Sequence, residues 1–232
     1  MTSRRSKHPE ERRKELLDAA ERLFVEQGYE ETSIRDIITT VGVAHGLFYY
    51  YFRSKEDILA AIIDRFYDSF LRAVDEAHTK EGRTGLEMLG DIIAAGIAMK
   101  KGKERLFAYI GASDDIHIQE QLARGAAERM APAIAAILRA GVRDGSFDTP
   151  YPDEAARAFL ACGTTILDAR PSAGGADGYL CKLEAYYDIT ARIIGARPGA
   201  VRELYASVQD DIDRIMRAYT AVCEEYDNNE HH

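Results

Sequence analysis

Residues 32–57 read TSIRDIITTVGVAHGLFYYYFRSKED: two short helical patterns joined at a glycine, then the start of a third. Ile34, Ile37, Ile38 and Val41 recur three or four residues apart, the spacing that lines one face of a helix. Ser33 stands just before them with Asp36 three residues on, a pairing in which each side chain can reach the other residue's amide and start the helix. Gly42 follows Val41 where the chain must turn sharply, and glycine tolerates the left-handed backbone such a turn needs. Val43, Phe48, Tyr51 and Phe52 then recur at helical spacing, so a second helix buries them against the first. Ser54-Lys55-Glu56-Asp57 repeats the capping pattern and puts Lys55 in the first turn of a third helix.

With Phe48, Tyr51 and Phe52 inward, the helical wheel points Gly46 and Tyr50 outward, sets Leu47 and Tyr49 on the flanks and leaves His45 at the exposed tip. A helix whose N-terminal end projects from a compact helix-turn-helix unit is the element that enters a major groove and meets base edges. A lysine at the start of the next helix suits a backbone phosphate.

These residues resemble the N-terminal DNA-binding domain of TetR-family repressors. Gly28-Tyr29, Thr32-Ser33, the run from Ile34 to Ile37, Gly42-Val43, Gly46, Tyr49 to Phe52, and Lys55 match that family's pattern in order, over about the first quarter of the chain. The resemblance implies an all-α protein, with a three-helix helix-turn-helix DNA-binding domain at 1–57 and a larger helical ligand-binding and dimerisation domain at 58–232. It also implies that Thr32, Ser33, Tyr49, Tyr50 and Lys55 contact phosphates or sugars, and that Ala44, His45, Gly46 and Leu47 lie nearest the bases. Three tip residues depart from the family's habit. Ala44 replaces a serine or threonine, which removes a side-chain cap worth about 1 kcal/mol. His45 stands where lysine or arginine is common and Leu47 where threonine is common, so readout falls to an imidazole and to an apolar contact such as a thymine methyl. Ile38, where alanine is frequent, either spreads the two helices or fills a gap left by smaller neighbours.

The chain has 232 residues and a formal charge of −9, which is unexpected for a protein that meets nucleic acid. The acidity is unevenly placed: residues 1–57 hold ten Lys/Arg against eleven Asp/Glu, and residues 58–232 twenty against twenty-eight. Arg4, Arg5, Lys7, Arg12, Arg13 and Lys14 form a local basic stretch, read either as a solvated tail or as an arm on phosphate or minor groove. No run approaches the roughly 20 apolar residues of a membrane span, and no apolar signal core follows the basic N-terminus. The widely spaced Cys162, Cys181 and Cys223 give neither a disulfide framework nor a zinc motif, and a cytoplasmic location is expected. His231-His232 reads as the remnant of a purification tag.

Outside the quoted stretch, Pro9 opens a helix with Leu16, Leu17, Ala20, Leu23 and Phe24 on one face, ending at Gly28. A long helix from Ser54 to about Lys80 links the two domains. Helices are predicted over 84–101, 103–111, 113–141, 153–169 and 178–195, and a last one over 200–226 that packs on the outside. The small residues Ala155, Ala156, Ala158, Ala161, Cys162 and Gly163 allow close helix approach. The helices at 153–169 and 178–195 are therefore expected either to pair with their symmetry mates in a four-helix dimer interface or to join an ordinary intramolecular bundle. Dimerisation also follows from the reader, since one helix-turn-helix covers only half of a pseudo-palindromic operator.

The resemblance implies a small-molecule inducer held among helices of the second domain. Phe66, Phe70, Phe107, Tyr109, His117, Cys162, Thr165 and Tyr186 are the candidates for its wall, with packing into the core as the ordinary alternative for each. His117 follows Asp114-Asp115, a spacing that more simply marks a solvated helix start than a metal site, and no metal or cofactor is expected. No Ser-His-Asp or paired-carboxylate arrangement stands out, so no enzyme is expected. The resulting expectation is a dimeric, ligand-responsive DNA-binding repressor. The alternatives are an activator on the same scaffold, or a helical enzyme or carrier with a docking module.

Overall fold

The computed structural model describes residues 9–79, 81–166 and 175–229, and within these every regular element is helical. The basic residues Arg4, Arg5 and Lys7, the Pro/Gly-rich connection after Ile166, and the side chains of Tyr179, Leu180 and Cys223 lie outside the described part. Packing divides the chain into two compact units, Met1–Arg65 and Phe66–His232. The division falls inside a helix that runs from Lys55 to Thr79, further along than the 57/58 boundary drawn from the sequence. Ile58, Leu59 and Ile62, all fully buried, lie on the first unit's side of it.

The first unit comprises α1 (Pro9–Glu26), α2 (Ile34–Val41), α3 (His45–Tyr51) and the opening turns of α4 (Lys55–Thr79). Glu10 and Glu11 sit in the first turn of α1, where negative charge offsets the helix dipole. Leu16 and Phe24 of α1, Ile37 of α2 and Phe48 of α3 are completely removed from solvent. At about 25 cal/mol per Å2 of apolar area, each such side chain contributes roughly 1.5–3 kcal/mol, and together they fix how α3 is presented. Arg65 ties this unit further through ion pairs to Asp18 and Glu21 of α1.

The second unit continues α4 and adds α5 (Gly85–Ala98), α6 (Glu104–Ala112), α7 (Ile116–Gly125), a π-helical turn (Ala126–Met130), α8 (Ala131–Asp144), α9 (Pro152–Ile166), α10 (Gly175–Ile194), α11 (Ala200–Ala206) and α12 (Gln209–Asn229). α8 packs on α5 and α9, α9 on α10, α10 on α11, and α11 returns to α5. Their shared core includes Phe70, Leu89, Ile92, Ile137, Leu138, Ala156, Phe159, Tyr186 and Ile194.

Two departures from the sequence expectation have local causes. The single helix expected over 113–141 starts only at Ile116, capped by Asp115, whose carboxylate accepts from the His117 amide at 2.8 Å. It then passes through the π turn, which no glycine or proline within 126–130 announces. The helix expected over 200–226 breaks after Ala206, where the Val208 amide donates to the Tyr205 carbonyl at 3.0 Å. Its second half, α12, lies against α6 and buries Ile212 and Ile215.

Candidate nucleic-acid interface

The start of α2 is fixed by reciprocal hydrogen bonds. The Asp36 amide donates to Ser33 Oγ at 3.2 Å, and Asp36 Oδ2 accepts from the Ser33 amide at 2.9 Å and the Ser33 hydroxyl at 2.5 Å. The hydroxyl and amide of Ser33 stabilise the charged form of Asp36 and hold its carboxyl below the ordinary range. At the other end of α2, Gly42 adopts the left-handed conformation (φ 70°, ψ 42°) and its amide donates to the carbonyls of Ile38 and Thr39 at 2.9 and 3.2 Å. A side chain there would carry the strain of positive φ, so the turn between α2 and α3 depends on glycine.

α3 begins at Ala44 in extended backbone with no side-chain cap, as the alanine implies. Replacing it with serine is expected to raise stability by about 1 kcal/mol, read as a higher urea midpoint with an unchanged slope. An unchanged midpoint would show that the uncapped amides cost nothing.

Phe48 and Phe52 anchor the inner face of α3, with ring centroids 5.9 Å apart, and the Arg13 guanidinium lies over Phe52 at 5.1 Å. Tyr51 is half-buried, edge-on to Tyr50. The opposite face is open. Ala44, His45 and Gly46 are exposed, Tyr49 and Tyr50 are 48% and 75% exposed, and Leu47 is half-buried between the two faces. His45 packs its ring against Tyr49 one turn on, at 5.0 Å between centroids. The result is a projecting surface of small and aromatic groups on a rigid apolar base.

Two residues expected to meet phosphate are placed differently. Thr32 is buried at 1% exposure, its hydroxyl donating to the Gly28 carbonyl at 2.6 Å and accepting from Gln27 Nε2 at 3.2 Å. It shapes the corner between α1 and α2. Lys55 folds back from the start of α4, its Nζ donating to the carbonyls of Tyr29 and Glu30 at 2.9 and 3.4 Å and lying 4.1 Å from the centre of the Tyr29 ring. Both side chains therefore act within the unit in this conformation. The Asp57 amide donates to Ser54 Oγ at 3.2 Å, while the Asp57 carboxylate reaches the amide of Arg53 at 2.9 Å, one residue short of the reciprocal cap expected. Arg35 on α2 and Arg53 just after α3 are exposed cations that helical periodicity does not single out.

In the second unit the candidate wall residues separate into groups. Phe66 and Phe107 are in ring contact. Cys162 is half-buried, and burial raises its thiol pKa. Tyr186 lies in the core with its hydroxyl 3.0 Å from that of Tyr205, and burial pushes its pKa up to about 12. Phe70 is core and Tyr109 half-buried, whereas His117 and Thr165 are exposed. Nothing in the sequence singles out Tyr205 as the hydroxyl partner of Tyr186, because it lies on a separate helix 19 residues along the chain.

Residues 16–62 match the pattern described as bacterial regulatory proteins, tetR family. The HTH-type transcriptional repressor KstR2 of Rhodococcus jostii is 30% identical over 155 residues, covering 64% of this chain and 74% of that protein. The chain belongs to the TetR family. As a TetR-family member it is a helix-turn-helix transcriptional regulator and not an enzyme. The fatty acid metabolism regulator protein of Bacillus subtilis is 32% identical over 92 residues, 40% of this chain, so that the chain spans about half (47%) of that relative. A TetR-family regulator from Syntrophomonas wolfei shares the fold at a TM-score of 0.57 and 21% identity, covering 86% of this chain and 93% of the other. Among the described residues no helix is long and apolar enough to cross a membrane.

Proposed function

We propose that this TetR-family chain is a dimeric repressor that holds a pseudo-palindromic operator and releases it when a small molecule binds the second unit. The observation that carries the reading is the open face of α3, set on a base of fully buried side chains. In this reading residues 1–57 read DNA and 58–232 sense the ligand and dimerise, in the cytoplasm beside the chromosome. Ala44, His45, Gly46 and Leu47 meet bases; Tyr49, Tyr50 and the exposed Ser33 meet the sugar-phosphate backbone; Thr32 and Lys55 hold that face in position. That the relative KstR2 is a transcriptional repressor supports the direction of regulation.

The dimer is proposed to form through α9 and α10. Arg157, Ala161 and Thr165 of α9 and Cys181, Ala185 and Ile189 of α10 are exposed at four-residue intervals, a mostly small and apolar pair of stripes suited to a four-helix contact. The ligand is proposed to lie among the second unit's helices, with Phe66, Phe70, Phe107, Tyr109, Cys162 and Tyr186 as wall candidates. His117 and Thr165, being exposed, are the weakest members of that set.

Fluorescence anisotropy on the DNA upstream of its own gene tests the reading. Specific binding should exceed binding to random duplex by about 10³-fold or more. Equal affinity for both would sink it. Leu47→Ala is expected to cost about 1–3 kcal/mol at particular base pairs and little elsewhere. A uniform loss over all operator variants would argue against base contact by Leu47.

A further inference from the structure

Among the described residues, the second unit contains a lysine whose charge has no carboxylate to pair with. Phe66 of α4 and Phe107 of α6 meet with ring centroids 4.4 Å apart and planes inclined by 39°, and both rings are half-buried. Two ammonium groups lie over this pair, Lys100 at 5.8 Å from the Phe107 centroid and Lys103 at 5.1 Å from that of Phe66. The acidic groups engaged by neighbouring residues are committed: Glu104 accepts from the Gly102 amide at 2.9 Å, and Asp211 pairs with Lys101 at 3.6 Å and Arg214 at 3.2 Å.

Among the described residues no hydrogen bond or ion pair reaches the Lys100 ammonium, and burial alone holds its pKa below the ordinary lysine value. A charge partly removed from water is stabilised by an anionic partner. A ring face attracts a cation without neutralising it. Lys100, half-buried and without an anionic partner among the described residues, therefore sets an ammonium beside a half-buried aromatic pair, the combination of apolar wall and few polar groups that binds and orients a small molecule.

We propose that Lys100 and Lys103 receive the carboxylate of an organic acid whose apolar body lies against Phe66 and Phe107. The proposal rests on the ligand-responsive reading above and names the chemical class of its effector. The two lysines set the charge preference, and the aromatic pair sets the preference for an apolar body.

Thermal unfolding of the full chain at neutral pH, without DNA, tests this with decanoate and 1-naphthoate against decanol and 1-naphthalenemethanol. At least one acid should raise Tm by about 3 °C or more, with its matched alcohol giving a clearly smaller shift. Lys100→Met should raise the Tm of the ligand-free chain and erase the preference for acid over alcohol, and Lys100→Arg should keep that preference. Lys100→Gln serves as a second neutral variant if the methionine chain does not fold. No difference between acids and alcohols in the unaltered chain would overturn the proposal, as would a difference that survives both neutral variants. Anisotropy on operator DNA, run in parallel, separates the two levels: an acid preference without operator binding removes the repressor reading proposed above, and operator binding without an acid preference removes this proposal alone.

Discussion

Lys55→Ala is expected to lower the stability of the chain by about 2–3 kcal/mol and to weaken binding to every DNA sequence, while leaving the salt dependence of binding unchanged. The lysine bridges 26 residues of sequence to reach the Tyr29 carbonyl at 2.9 Å, and its side chain is only 18% exposed. Hydrogen bonds from a charged donor contribute about 1.5–3 kcal/mol, and the Tyr29 ring face adds about 0.5–1 kcal/mol. The nearby Glu30 carboxylate, 3.9 Å away and 61% exposed, adds little. The lost contacts join the corner after α1 to the start of α4, so the mutation loosens the frame around α3 and should reduce operator affinity roughly tenfold for each 1.4 kcal/mol that reaches binding.

A phosphate-contacting lysine behaves otherwise. Its removal lowers the slope of log K against log salt by about 0.9 and leaves the unfolding midpoint nearly in place. Urea unfolding and anisotropy titrations at several salt concentrations distinguish the two roles. A reduced slope with an unchanged midpoint would return Lys55 to the phosphate-binding set.

The contrast between Ser33 and Lys55 explains which parts of the site are legible in the sequence. Ser33, Asp36, Gly42 and Ala44 act on amides within a few residues of themselves, so their effect is encoded locally, and both ends of α2 and the uncapped start of α3 follow from residue type and spacing. Lys55 and Thr32 have the same exposed-looking sequence context but act across a corner, and nothing local says that one folds back to Tyr29 or that the other is buried against Gly28. The same holds in the second unit. Apolar periodicity locates most of its helices, but the π turn at 126–130 continues a helical pattern without a breaker. The aromatic residues are visible as a set, while the pairing of Phe66 with Phe107, and of Tyr186 with Tyr205, arises from helices distant in sequence. Lys100 reads as an ordinary surface lysine until its neighbours are known.

Gly125→Val is expected to destabilise the second unit by about 3 kcal/mol, and Tyr67→Ala by a similar amount, with the double variant losing at least 1 kcal/mol less than the sum. Tyr67 projects from α4 with its hydroxyl donating to the Leu122 carbonyl at 2.9 Å, and the Arg129 guanidinium, paired with Asp68, lies 5.4 Å from its ring centroid. Its ring lies directly against the Gly125 backbone, so a Cβ at that position would overlap ring carbons. A valine must either displace the ring or move α7, and a close-packed interior permits neither cheaply. Removing the ring makes room for the valine, which is why the two costs should not add. In the proposed ligand-responsive reading this contact would also bear on signalling, because Gly125 immediately precedes the π turn and Tyr67 belongs to α4. A single π turn inside a helix is often found at functional sites, and in the proposed ligand-responsive reading a ligand that moved α7 against α8 would move the seat of Tyr67 on α4. Gly125→Val should accordingly alter operator affinity although no residue of the α3 face is changed, and Tyr67→Ala should bring the affinity of the valine variant back toward that of Tyr67→Ala alone. Urea unfolding and anisotropy on the four chains measure both couplings. Additivity within about 0.5 kcal/mol in stability would show that Gly125 and Tyr67 do not act as one contact.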